Sequence, residues 1–208
     1  MKDGTMYGLV NKAIESFVVE TYGLGAWQAI VVEADLGIDT FESMLMYEDE
    51  VTERLLQTAV ERLNKPHAMV LEDIGTFLVS HPRMPALRRL LRFAGAEYED
   101  FLHSLEDLPG RIRIALPDLI LPAMELRHHG TGEFELSCGT LFPGFGHVMV
   151  GLLQAMADEY GALVTITHDG APAEAASGAN PGAEVISIRL HEPQFSTGRR
   201  FALGIPGG

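Results

Sequence analysis

Residues 134–167 read FELSCGTLFPGFGHVMVGLLQAMADEYGALVTIT, and the period of the apolar residues changes twice within that stretch. Phe134, Leu136 and Cys138 alternate with Glu135 and Ser137, the two-residue period of a strand with one buried face. From about Gly144 to Tyr160 the spacing is helical, and from Ala162 to Thr167 the alternation returns with Val164 and Ile166 on one side. Downstream, Glu184 to Leu190 places Ile186, Ile188 and Leu190 on one face, so the spacing predicts an antiparallel pair with Ala162–Thr167. The segment between them, HDGAPAEAASGANPGA, is small, polar and turn-prone, and is expected to be a long mobile connection. The tail after Pro193 is expected to fray.

Upstream the pattern is helical. Val10, Ala13, Ile14, Phe17 and Val18 form a stripe that ends at Gly23, and Trp27, Ile30 and Val31 begin a second. Asp49–Leu63 carries Val51, Leu55, Leu56, Ala59, Val60 and Leu63 at helical spacing, closed by Asn64 and Pro66. The acids Glu48, Asp49 and Glu50 sit where they favour that helix's dipole. Further helices are predicted from about His67 to Ser80, until Pro82, and over about Ala86–Phe93. Another starts near Glu97 and contains Phe101, Leu102, Leu105 and Leu108, and Pro109 and Gly110 are expected to stop it. Helices first, then strands around a helix, make an α+β chain.

Composition narrows the function classes. The chain has 208 residues, 47% of them apolar, and a mean hydropathy of +0.11, enough to bury the core of one ordinary domain or two closely packed lobes. A formal charge of −14 offers no net attraction to phosphate backbones or anionic lipid, so neither nucleic acid nor membrane is an expected partner. MKDGTMYGLV lacks the pattern of a signal peptide, and no stretch is apolar enough to span a bilayer, so a soluble cytoplasmic protein is expected. The single Cys138 excludes an internal disulfide and every multi-cysteine metal site. No GxSxG, P-loop, Rossmann fingerprint or HExxH is present, and SCGTLFPGFG lacks the lysine of a phosphate loop, so no enzyme is expected.

Four segments carry a family resemblance. MYGLVNKAIESFVVETYG (Met6–Gly23) resembles the opening of the haem nitric oxide/oxygen binding (H-NOX) family, an amphipathic helix closed by Tyr-Gly. AMVLEDIGTFLV (Ala68–Val79) resembles its glycine-containing helix beside the haem, FLHSLEDL (Phe101–Leu108) the run leading to its proximal histidine, and VGLLQAMADEYG (Val150–Gly161) the helix after its haem-clamping strand. The resemblance spans roughly Met6–Leu190. It implies an α+β fold in which an N-terminal helical lobe, about 6–66, packs on a C-terminal lobe, about 67–191, containing a four-stranded antiparallel sheet, with 192–208 as a tail. It also implies haem as cofactor, nitric oxide sensing, and a signalling partner such as a histidine kinase or cyclase.

A gas-sensing haem needs an imidazole on iron, polar groups for its propionates and an apolar cavity on the other face. By resemblance, the proximal histidine is expected where Pro109 stands, and proline has no side chain to bind metal. The Tyr-x-Ser-x-Arg clamp falls on Leu136, Cys138 and Thr140 if FELSCGT is that strand, or on Gly139, Leu141 and Pro143 without a gap. Either register lacks the arginine that would fork onto a propionate. Haem binding is therefore expected to be weak, altered or absent, which leaves open a ligand-free interaction domain.

The resemblance places Val10, Ile14, Leu78, Leu105, Pro109 and Pro122 around the pocket, where a small apolar ligand fits. With no tyrosine hydroxyl on the distal side, nitric oxide is favoured over oxygen. His147, which opens a helix near the clamp, and His103 are the fallback metal ligands. His103 is six residues from Pro109 on the expected common helix, a rotation of about 120° away. His128 and His129 are expected to be solvated in a polar turn, RHHGTG, and Cys138 to be a small core residue.

Overall fold

The computed structural model describes residues 5–82, 85–92, 95–115, 117–171 and 182–191. In chain order they form β1 (Thr5–Tyr7), α1 (Gly8–Tyr22), α2 (Leu24–Glu33), β2 (Met46–Glu48), α3 (Asp49–Leu63), α4 (His67–Ser80), α5 (Pro85–Arg92), α6 (Tyr98–His103) and α7 (Leu108–Ala115). Then follow β3 (Met124–Gly130), β4 (Glu133–Cys138), α8 (Phe145–Tyr160), β5 (Leu163–Gly170) and β6 (Glu184–His191). The architecture is α+β, with a four-stranded antiparallel sheet in the order β3-β4-β6-β5 and a separate antiparallel pair of β1 and β2.

The sheet register follows the apolar alternation. Leu136 lies opposite Ile186, Phe134 opposite Ile188 and Val164 opposite Leu190, so one face carries the buried residues of β4 and β6 and the half-buried Val164 of β5. Helix α8 lies on this face through β5 and β6, and α4 packs on α8. That helix pair approaches to backbone contact. A Cβ on Gly75 would fall on the Val148 carbonyl oxygen, and one on Gly151 would fall on the carbonyl oxygen of Glu72. The Thr76 hydroxyl completes the crossing by donating to the Gly151 carbonyl at 3.3 Å. Two reciprocal glycines thus set the interaxial distance that the larger side chains around them pack against.

Outside this pair, α1 and α2 form a helical hairpin turned at Gly23, and buried Trp27 donates its indole N–H to the Asp39 carbonyl at 2.9 Å. Helix α3 begins with Asp49 and Glu50 in its first turn and ends on Asn64 in the left-handed conformation, φ 52°, ahead of Pro66. Arg88 places two hydrogen bonds of 2.7 Å on Glu159, joined by Arg92 at 3.1 Å, which ties α5 to α8.

Several sequence expectations change. Pro109 and Gly110 do not stop a helix: α6 ends at His103, a turn follows, and Pro109 lies in the first turn of α7. Proline is suited to that place, because its missing N–H is one that the first turn leaves unpaired. His103 and Pro109 therefore lie on different helices, and the rotation between them does not apply. RHHGTG is not a free turn either, since β3 runs through His128 and His129 to a bulge between His128 and Gly130. The paired β1 and β2 had no alternating run long enough to reveal them. Of the predicted mobile connection, residues 172–181 lie outside the described residues, as does the tail from 192, while β5 extends into the connection as far as Gly170.

Candidate functional site

The expected pocket residues come from five parts of the fold. Val10 and Ile14 are one turn apart on α1, Leu78 is on α4 and Leu105 is in the turn after α6, and these four belong to one continuous apolar core. Ile14 and Leu105 are fully buried within it, and Val10 and Leu78 are half-buried at its margin. Pro109 is half-buried at the start of α7, and half-buried Pro122 rests against Gly139, whose N–H donates to the Ala123 carbonyl at 3.0 Å.

Two open clefts lie elsewhere. One of about 470 Å³ is lined by Asp107, Gly110, Arg111, Arg113 and Ile114 around α7. The other, about 370 Å³, runs between α3 and the segment of Phe142 and Pro143. None of the six expected pocket residues lines either cleft.

At the start of α7 a cation is held against the backbone. Arg111, one turn after Leu108, donates Nη2–H to the Ser104 carbonyl at 3.0 Å, while its buried Nε–H has no partner among the described residues. On β4, Leu136 and Cys138 point into the core with no exposure, and the Thr140 hydroxyl donates to the Gly182 carbonyl. Burial, followed by the nearby negative charge of Glu184, pushes the Cys138 thiol up to about 12, so it is a protonated core group rather than a thiolate. In the gap-free register Gly139 abuts Pro122, Leu141 is half-buried and Pro143 is exposed on the second cleft.

The histidines separate by environment. His103 is more than half exposed, 4.0 Å from Glu99. His128 stacks on Phe134 with ring centroids 4.7 Å apart, and His129 lies 3.4 Å from Glu135. His147 is different: on the first turn of α8, its Nδ1 is 3.0 Å from Glu72, and its ring lies 4.1 Å from the ring of His168. Nε2 of His168 is in turn 2.7 Å from Glu184, whose same oxygen accepts the Gly146 N–H at 2.9 Å. Among the described residues, no group of three or more His, Cys, Asp or Glu side chains is arranged to hold a metal ion. No helix of the described residues is long and apolar enough to cross a membrane.

The model of the Haem-NO-binding family matches residues 7–168, most of the chain. The chain belongs to the H-NOX family. Its curated relatives include soluble guanylate cyclase gcy-31 of Caenorhabditis elegans, 23% identical over 154 residues, which are 74% of this chain and 22% of that protein. Soluble guanylate cyclase gcy-35 of the same organism is 29% identical over 105 residues, 50% of this chain and 15% of the cyclase. The chain thus spans about a fifth of the length of the first cyclase and less of the second. Among solved structures, an H-NOX protein from S. oneidensis in the Fe(II)NO ligation state superposes with a TM-score of 0.70 at 18% identity, covering 89% of this chain and 99% of that one. The Fe(II) unliganded H-NOX protein from K. algicida gives 0.73 at 16% identity, covering 90% of this chain and 97% of the other.

H-NOX is a sensor domain of haem-based gas signalling, not a catalytic one, and the cyclases match this chain over that domain alone. Sequence reading of this H-NOX chain found His147 but not its neighbours Glu72, His168 and Glu184. They come from α4, β5 and β6, and no motif spacing links residues that meet only when the sheet docks on α8.

Proposed function

We propose that this H-NOX domain is a regulatory module in which haem is held weakly, in an altered way or not at all, and which reports to a separate signalling enzyme, a kinase or cyclase, in the cytoplasm. In this reading residues 6–66 and 67–191 act as two lobes. A pocket ligand, loosely held haem or another apolar molecule, favours one arrangement of them over the other. The observation that carries it is the donor set. Pro109 stands in the first turn of α7 where the family resemblance expects an imidazole, and β4 presents Phe134, Leu136 and the protonated Cys138 to the core. This set does not fit a haem gripped by a histidine and a Tyr-Ser-Arg clamp, because neither iron nor propionate finds a charged or basic partner in it.

Reconstitution with haem tests the reading. The expected result is a substoichiometric Soret band that apomyoglobin removes. One full equivalent resisting apomyoglobin overturns it. A second reading, a ligand-free interaction domain on the H-NOX scaffold, is favoured by the absence of any exposure at Leu105, Leu136 and Cys138, whose side chains fill the core themselves. A protein that stays colourless at excess haem and still binds its partner selects this second reading.

A further inference from the structure

His147 and His168 meet at the junction of α8 with the sheet, each held by its own carboxylate. Because a carboxylate oxygen accepts, the contacting nitrogens of neutral rings carry the hydrogens: Nδ1–H of His147 donates to Glu72 and Nε2–H of His168 to Glu184. The lone pairs are thereby assigned to Nε2 of His147 and Nδ1 of His168, and neither has a hydrogen-bond partner among the described residues. An imidazole whose far N–H is held by a carboxylate is the form in which histidine ordinarily ligates a metal, because the carboxylate fixes the tautomer and raises the basicity of the free nitrogen.

The rest of the junction supports them. His168 and Glu184 are largely buried, with side-chain exposures of 16% and 14%. Gly146 leaves room for both, since a Cβ there would fall on the Glu184 carboxylate and lie 2.6 Å from Nε2 of His168. Glu184 also takes the Gly146 N–H, offsetting the positive end of α8 that would otherwise repel a cation. The ring centroids lie 4.1 Å apart, close enough for one ion to serve both rings. Among divalent first-row ions a site of imidazole nitrogens holds copper(II) most tightly.

We propose that His147 and His168 are the two protein ligands of a divalent late-transition ion, copper(II) or nickel(II) ahead of zinc(II), with Glu72 and Glu184 orienting the rings and water completing the coordination. The ion joins α8 to β5 directly, and α4 and β6 through the carboxylates.

The test uses the full chain, free of haem and metal, titrated with copper(II), nickel(II) and zinc(II) chlorides by calorimetry. One equivalent of copper(II) or nickel(II) is expected to bind more tightly than zinc(II). His147→Gln and His168→Gln are each expected to weaken binding at least about ten-fold. His103→Gln is expected to leave it unchanged. In case either variant misfolds, nickel(II) added to the wild-type protein is expected to broaden the imidazole resonances of His147 and His168 before those of His103, His128 and His129. Binding that survives both substitutions overturns the proposal, as does equal broadening at all five histidines or zinc(II) binding more tightly than copper(II).

Discussion

The Thr52 hydroxyl donates to Oδ1 of Asn11 at 2.7 Å, joining α3 to α1 with both residues fully buried, while Nδ2 of Asn11 has no partner among the described residues. The pair is thus satisfied on one side only. Thr52→Val keeps the shape and removes the donor, leaving the Asn11 oxygen buried and unpaired at a cost of about 1–3 kcal/mol. Asn11→Leu combined with Thr52→Val removes both desolvation penalties and is expected to recover most of that loss. Urea denaturation of the single and double variants measures the coupling; simple additivity would refute this account.

Gly151→Ala places a methyl group against the Glu72 carbonyl, where only hydrogen fits between α4 and α8. Because the obstacle is backbone, it cannot rotate away, and the helices must separate. The expected destabilisation is about 1–3 kcal/mol or more. The same substitution at exposed Gly110, whose Cβ would meet open space, is expected to leave the urea midpoint unchanged or slightly raised. Equal midpoints for the two variants would show that α4 and α8 are not in backbone contact.

Alkali is expected to destabilise the fold through Cys138. Its thiol is held at about 12 in the folded chain against an ordinary 9.0. The unfolded chain therefore releases this proton first as pH rises. Stability contributed by the buried neutral thiol is complete below about pH 9 and declines towards pH 12, at about 1.4 kcal/mol per unit. The Tyr98 phenol, also raised by burial, adds a second loss beginning above its ordinary 10.0. Urea midpoints between pH 7 and pH 10.5 check this, and Cys138→Ala should flatten the decline above pH 9. An unchanged slope in that variant would assign the alkaline loss to other groups.

Pro109→His supplies an imidazole at the first turn of α7, where the H-NOX resemblance expects one. Haem retained after gel filtration is expected to rise severalfold above wild type yet to remain extractable by apomyoglobin, since β4 still offers no cation to a propionate. The Soret absorbance per chain is the readout. No gain over wild type would mean that position 109 does not face the haem pocket.

The parts of the fold set by local periodicity were legible in the sequence. Asp49–Leu63 could be read to its end residues and the helix to Ser80 to its C-terminal end, because Asn64, Pro66 and Pro82 mark the stops. Val164 and Ile166 found their partners in Leu190 and Ile188 by simple alternation. Pro109 was misread because proline is a stop inside a helix and a start at its first turn, and only the tertiary placement of Leu105 and Leu108 in the core tells which applies. Strands β1 and β2, three residues each, are defined by pairing across about forty residues rather than by pattern. The same limit hid the His147–His168 contact, while the Leu136 and Cys138 positions on β4 could be anticipated because strand alternation alone puts them inside.

The crossing of Gly75 and Gly151 also has a mechanical meaning. Two rods touching backbone to backbone cannot slide or roll past each other without clashing, so α4 and α8 travel as one stiff beam. A relative movement of the two proposed lobes would bend the chain at the ends of that beam, at joints such as the left-handed Asn64 before α4 or the glycine-flanked entry to α8. Stiffening either joint should silence transmission while leaving the beam itself intact.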